Sequence, residues 1–122
     1  MNRLLKSFAY AWHGIKYCLK YEQNFKIHIA AGAFVIVFAA LLKCTAVEWM
    51  ILCICIAMVL CAELLNTAIE KYCDIQQKSF SPQIKIIKDT AAGAVLVAAV
   101  LAAVCGTLIF VPKLLQLFKI IN

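Results

Sequence analysis

The stretch that decides the fold is WMILCICIAMVLCAELLNTAIEKYCD, residues 49–74. From Trp49 to Ala62 it carries no charge, and then Glu63, Asn66, Glu70 and Asp74 follow at intervals of three or four residues. At ~100° per residue these four positions fall within about 80° of arc on one helical face, with Thr67 at its edge. An apolar helix that gains a polar stripe at one end reads as a membrane span reaching a surface. Glu63 lies ~12 Å of helix before Lys71, so it starts inside the membrane or just under its surface. An acid at that depth costs on the order of 2.5–3.5 kcal/mol, so it should face protein, water or metal. As a neutral, hydrogen-bonded acid or half of a buried ion pair, Glu63 would be structural. Asn66, Glu70 and Asp74 on the same face favour a site.

Composition agrees with a bilayer environment. The 122 residues are 66% hydrophobic and 15% charged, with a mean hydropathy of +0.94. A water-soluble domain this small could not cover so much apolar surface. Three apolar runs, 27–42, 49–65 and 91–111, are long enough to cross or nearly cross ~30 Å of hydrocarbon. The expected architecture is a single all-α membrane domain over 1–122, with spans at about 27–43, 48–70 and 90–112. The first run is short and should borrow length from its flanks. Val111-Pro112-Lys113 reads as an interfacial end of the third span. Ser79-Phe80-Ser81-Pro82 signals a turn, and Asp89-Thr90 suits a helix N-terminus.

Residues 4–22 form a separate element. Leu5, Phe8, Trp12, Ile15 and Leu19 recur on one helical face, and Lys6, His13, Lys16 and Lys20 occupy the adjoining one. Such a basic amphipathic helix lies in the membrane interface, or packs on the bundle as an ordinary tertiary helix. The segment 1–26 lacks the apolar core and small-residue cleavage site of a signal peptide, so the chain is expected to keep it.

The 12 Lys and Arg residues fix an orientation. Nine of them (3, 6, 16, 20, 26, 71, 78, 85 and 88) lie before the first span or before the third, and three (43, 113 and 119) lie on the opposite side. The positive-inside rule then places the N-terminus and the loop at 71–90 in the cytoplasm and the C-terminus outside. All 12 lie outside the apolar runs, so the net charge of +6 speaks for topology and lipid headgroups, not nucleic acid. The seven cysteines include no C-x₂-C pair, and Cys53 and Cys55 point to different helix faces. They read as small apolar residues.

Three carboxylates and an amide on one stripe offer oxygen ligands for a hard cation such as Mg²⁺. A partly desolvated Glu63 also suits general-base work. Glu22, the one acid before the first span, lies on the same side as Glu70. Lys88-Asp89, at the foot of the third span, could meet a phosphate. There is no GxxxxGK[ST] and no GxGxxG, so a bound nucleotide must be gripped by metal and side chains. His13 and His28 have no metal-ligand partner at useful spacing, and no Ser/His/Asp arrangement is evident.

Glu63-Leu-Leu-Asn66-Thr67-Ala-Ile-Glu70-x₃-Asp74, followed by Lys88-Asp89-x₂-Ala-Gly93-Ala-Val, resembles the signature of the small prokaryotic diacylglycerol kinase and undecaprenol kinase family. The resemblance extends from Phe8-Ala-Tyr10-Ala-Trp12-x-Gly14 through Glu22-x-Asn24-Phe25 to Pro112-Lys113. It implies a homotrimer in the bacterial cytoplasmic (inner) membrane, each subunit having three transmembrane helices and one amphipathic surface helix. It implies active sites between subunits, using ATP and Mg²⁺ to phosphorylate a membrane lipid alcohol. By the same resemblance, Glu63 matches the general base, Glu22 and Glu70 the metal-binding acids, Asn66 an orienting residue and Lys88 the lysine on the transferring phosphate. Arg3, Tyr10, Asp74 and Asp89 match nucleotide-side or supporting positions. Asn24-Phe25-Lys26-Ile27-His28 resembles the branch acting on undecaprenol, with diacylglycerol as the alternative substrate. A small proton- or cation-coupled transporter would also carry an intramembrane Glu63, but leaves Glu22, Asn66 and Lys88 without a reason. A holin-like pore gives no reason for the stripe.

Overall fold

The computed structural model describes residues 2–76 and 78–121, which form four α-helices with no strand among them. Helix α1 (Arg3–Tyr21) begins at Asn2, whose side-chain oxygen accepts a bond from the Leu4 amide at 3.5 Å. It ends at Glu22, where the backbone turns extended at φ −102°, ψ 111°. Helix α2 (Gln23–Leu41) starts at the next residue, so Glu22 is a corner and not part of a loop. Two backbone bonds pin that corner. The Glu22 amide donates to the Cys18 carbonyl at 2.9 Å, and the Glu22 carbonyl accepts from the Lys26 amide at 3.3 Å.

The α2–α3 turn is closed from both sides. Lys43 adopts the left-handed conformation, φ 52°, and the amides of Lys43 and Cys44 donate to the carbonyls of Ala40 (3.2 Å) and Ala39 (3.0 Å). That pattern is a Schellman ending, which satisfies the last carbonyls of α2. Helix α3 (Ala46–Gln76) then opens with a capping box. The Thr45 amide donates to Glu48 Oε2 at 2.7 Å, and the Glu48 amide donates to Thr45 Oγ1 at 3.3 Å.

Helix α3 has 31 residues and α4 (Pro82–Ile121) has 40. At ~1.5 Å per residue both exceed a ~30 Å hydrocarbon core. Three helices are long and apolar enough to cross a membrane: Gln23–Leu41, Ala46–Gln76 and Pro82–Ile120. The first apolar run is extended at its start, because α2 takes in Gln23 to Lys26.

One expectation about α4 is corrected. The helix starts at Pro82, so Asp89-Thr90 is internal and not an N-terminus. The cause is Ser81, whose hydroxyl accepts from the Ile84 amide at 3.5 Å ahead of a proline at the first helical position. Thr90 instead returns its hydroxyl to the Ile86 carbonyl at 2.7 Å. At the other end, Pro112 does not stop the helix, which continues to Ile121. Proline removes one amide and crowds the preceding turn, and the helix accommodates that local loss.

Helix α3 is the centre of the packing, running along α4 and against α2. Gly32 allows α2 to come close: a Cβ built there would lie 3.1 Å from Ile56 Cγ2. A buried cluster of Ala39, Leu52 and Ile109 joins the three helices away from the site, with Trp49 and Phe110 packed against it. Phe38 meets the Phe110 ring edge-on at 5.4 Å. Small residues at helix contacts are the usual means of association in lipid, where apolar side chains gain nothing by leaving the solvent. Leu65, Val97 and Leu108 accordingly remain exposed. Helix α1 buries only Cys18, and Phe8 and Trp12 stay exposed.

Candidate active site

The stripe read from the sequence lies on α3 as a face that runs from buried to open. Glu63, Asn66 and Thr67 are buried, with 3%, 5% and 4% exposure, Glu70 is half-buried and Asp74 is exposed. The helix positions these side chains without help from loops, since spacing alone aligns them. Asn66 Nδ2 donates to Glu70 Oε1 at 3.4 Å. Asn66 Oδ1 is buried and has no hydrogen-bond partner among the described residues, an acceptor that a cation or a donor from substrate would satisfy. Glu63 makes no hydrogen bond or ion pair among the described residues, but it lies within electrostatic range of His28, Glu70 and Glu22. Its carboxylate is sequestered and free of partners.

Three ion pairs stand at the open end. The α1–α2 corner brings Glu22 to α3, where Lys71 Nζ sits 2.9 Å from Glu22 Oε1. The foot of α4 brings Lys88 to the end of α3, with Nζ 2.9 Å from Asp74 Oδ1. Asp89 pairs with Lys85 one turn away on α4. Asp74, Lys78, Lys85, Lys88 and Asp89 line a cleft of about 420 Å³, in which three ammonium groups face two carboxylates. Such a cleft favours a polyanion once one of the lysines leaves its acid.

The structure therefore gathers Glu63, Asn66 and Glu70 on one face, places Glu22 at its edge and sets Asp74, Lys88 and Asp89 around the cleft. It does not bring Arg3 or Tyr10 into this group. Both are exposed on α1, and neither side chain makes a hydrogen bond or ion pair among the described residues. Sequence reasoning treated Lys71 only as a topological charge. Its position directly after Glu70 was the available signal, since one residue is a ~100° turn away from the stripe, toward α1. Lys71 also lies over the Tyr17 ring, at 5.9 Å. The seven cysteines are all free. Burial pushes the Cys18 thiol up from its ordinary value, away from the reactive thiolate.

Among the described residues, no three His, Cys, Asp or Glu side chains converge to cage a metal. Mg²⁺ does not require a protein cage, because it is commonly held by one or two carboxylates together with substrate phosphates and water. The carboxylates of Glu22 and Glu70 and the orphaned Asn66 oxygen are hard donors of that kind. The residues present fit such a cation.

Residues 9–110 match the family described as prokaryotic diacylglycerol kinase, and the chain belongs to that family of lipid kinases. It is 43% identical over 114 residues to the undecaprenol kinase of Bacillus subtilis, a match covering 93% of each chain. It is also 43% identical over 115 residues to a diacylglycerol kinase of Synechocystis, covering 93% of this chain and 66% of the relative. A diacylglycerol kinase of Helicobacter pylori is 32% identical over 117 residues, covering 96% and 88%.

Proposed function

We propose that this lipid kinase transfers the γ-phosphate of ATP to the hydroxyl of a membrane lipid, with undecaprenol as the preferred acceptor. The carrying observation is Glu63, 3% exposed on a membrane-length helix and continuous with Asn66 and Glu70. A base at that depth meets an alcohol that stays in the bilayer, while the open end of the same face meets a water-soluble nucleotide.

In this reading Glu63 takes the proton of the lipid hydroxyl as its oxygen attacks the γ-phosphorus. The bond from that phosphorus to the β–γ bridging oxygen breaks, leaving a lipid monophosphate and ADP. Lys88 leaves Asp74 to neutralise charge on the transferring group, and Asn66 holds Glu70 in place through its amide. Glu22 and Glu70 would hold Mg²⁺, which supplies charge neutralisation for the phosphates when bound. Phosphoryl transfer depends mainly on such positioning and electrostatic support. Asp74 and Asp89 serve the nucleotide side. Arg3 and Tyr10 serve it too in an assembly whose sites lie between the subunits of a homotrimer. The broad exposed apolar faces of α3 and α4 leave room for those neighbours.

The setting is the bacterial inner membrane, with the N-terminus and the cleft cytoplasmic, the C-terminus outside and α1 an amphipathic helix at the interface. The basic residues of α1 and of the α3–α4 connection favour that orientation. Undecaprenol is preferred because the Bacillus subtilis relative, matched over 93% of both chains, bears that name. Diacylglycerol is the second reading, on the equally identical Synechocystis relative.

Purified protein in mixed micelles with Mg·ATP should convert both alcohols to monophosphates, and undecaprenol should win when the two compete at matched surface concentration. Preferential phosphorylation of diacylglycerol would reverse the substrate assignment. Absence of lipid phosphate with either alcohol would remove the reading.

A further inference from the structure

Among the described residues, Lys71 is the ammonium that an ion pair holds against Glu22, at the edge of the buried stripe. Glu22, Glu63 and Glu70 lie close enough to interact electrostatically, and such a group repels itself unless a cation stands nearby. Glu70 and Lys71 are consecutive, so a single turn of α3 carries one acid of the expected metal pair and the ammonium that neutralises the other. The partners differ in freedom. Glu22 is pinned at the α1–α2 corner by two backbone bonds and its side chain is 19% exposed, whereas that of Lys71 is 47% exposed. While paired with Glu22, the Lys71 ammonium also lies 5.9 Å from the centre of the Tyr17 ring, a contact that does not depend on the Glu22 carboxylate.

We propose that Lys71 is a stand-in cation: it holds the Glu22 carboxylate in the metal-free enzyme and yields it to the entering divalent ion, so that Lys71 limits metal affinity. The proposal rests on the assignment of Glu22 to metal. One positive charge leaves the acids as two arrive, and the site is never left with bare carboxylates. Lys71 is thus a positioning residue, acting through Glu22.

The test is Mn²⁺ binding to nucleotide-free protein in micelles, read from the free-ion electron paramagnetic resonance signal. Lys71→Met should bind Mn²⁺ about two- to fivefold more tightly than the wild type, the range that a partly exposed ion pair supports. Glu22→Gln should bind it more weakly. If Glu22→Gln weakens binding while Lys71→Met leaves it unchanged or weaker, the stand-in role is overturned and the metal assignment survives. If Glu22→Gln changes nothing, Glu22 is not a ligand and both ideas fall. A second measurement uses the unaltered protein. Acylation of the Lys71 amine, followed by mass spectrometry, should rise when Mn²⁺ is added, and a constant level would overturn the proposal.

Discussion

The two ends of the helical bundle both pair lysine with a carboxylate at 2.9 Å, yet the pairs are built differently. At the α2–α3 turn, Lys113 Nζ meets Glu48 Oε2, and the side chains are 18% and 26% exposed. The same Glu48 oxygen already accepts the Thr45 amide at 2.7 Å. That acid is committed twice, to the Thr45 amide of the helix cap and to Lys113 of α4. At the opposite end, Glu22 and Asp74 each hold a single lysine, Lys71 and Lys88, whose side chains are 47% and 37% exposed. A carboxylate with one exposed partner can exchange it, whereas one that also caps a helix cannot do so without fraying the helix. Similar pairs thus lock one end of the molecule and leave the other free to exchange partners.

The contrast is sharpest at the deep end of the stripe. Glu63→Gln keeps the shape of the side chain and removes its basicity. Turnover should fall by about 10²–10⁴-fold with little change in thermal stability, and a steady-state assay in micelles showing wild-type turnover would take Glu63 out of the base role. Lys88→Met tests the exchangeable pair. If Lys88 has its proposed role on the transferring phosphate, the loss of that donor should lower kcat about 10²-fold, while the midpoint of thermal unfolding stays close to that of the wild type. A variant that melts early but turns over normally would make Lys88–Asp74 a structural pair like the one at the far end. Glu48→Ala is the converse case and the smallest effect. Loss of a cap and an ion pair should lower the unfolding midpoint in detergent, with turnover per folded molecule unchanged. A fall in kcat there would mean that the two ends communicate.

Much of the molecule was legible in the sequence because the relevant properties are local. Apolar run length marked three membrane-length helices, and the intervals between 63, 66, 70 and 74 put an acid face on the second. The start of α4 was misread because Asp89-Thr90 and Ser81-Pro82 both suit a helix N-terminus, and the stronger stop at Pro82 won. Pro112 marks an expected interfacial end of the third span, and the helix itself runs on past it to Ile121. The capping box at Thr45 and Glu48 is a sequence pattern that was available and passed over.

That Glu63, Asn66 and Glu70 share one face was determined by the sequence alone, because side chains three and four apart must align on any α-helix. Which lysine answers which acid was decided only by the tertiary structure. Glu22 reaches Lys71 because the chain turns at Glu22 without a loop and α1 and α2 both touch α3. Lys88 reaches Asp74 because α4 begins early enough to lay its first turns against the end of α3. Charge pairing between helices depends on how the helices pack, and nothing in the spacing of a single helix encodes it.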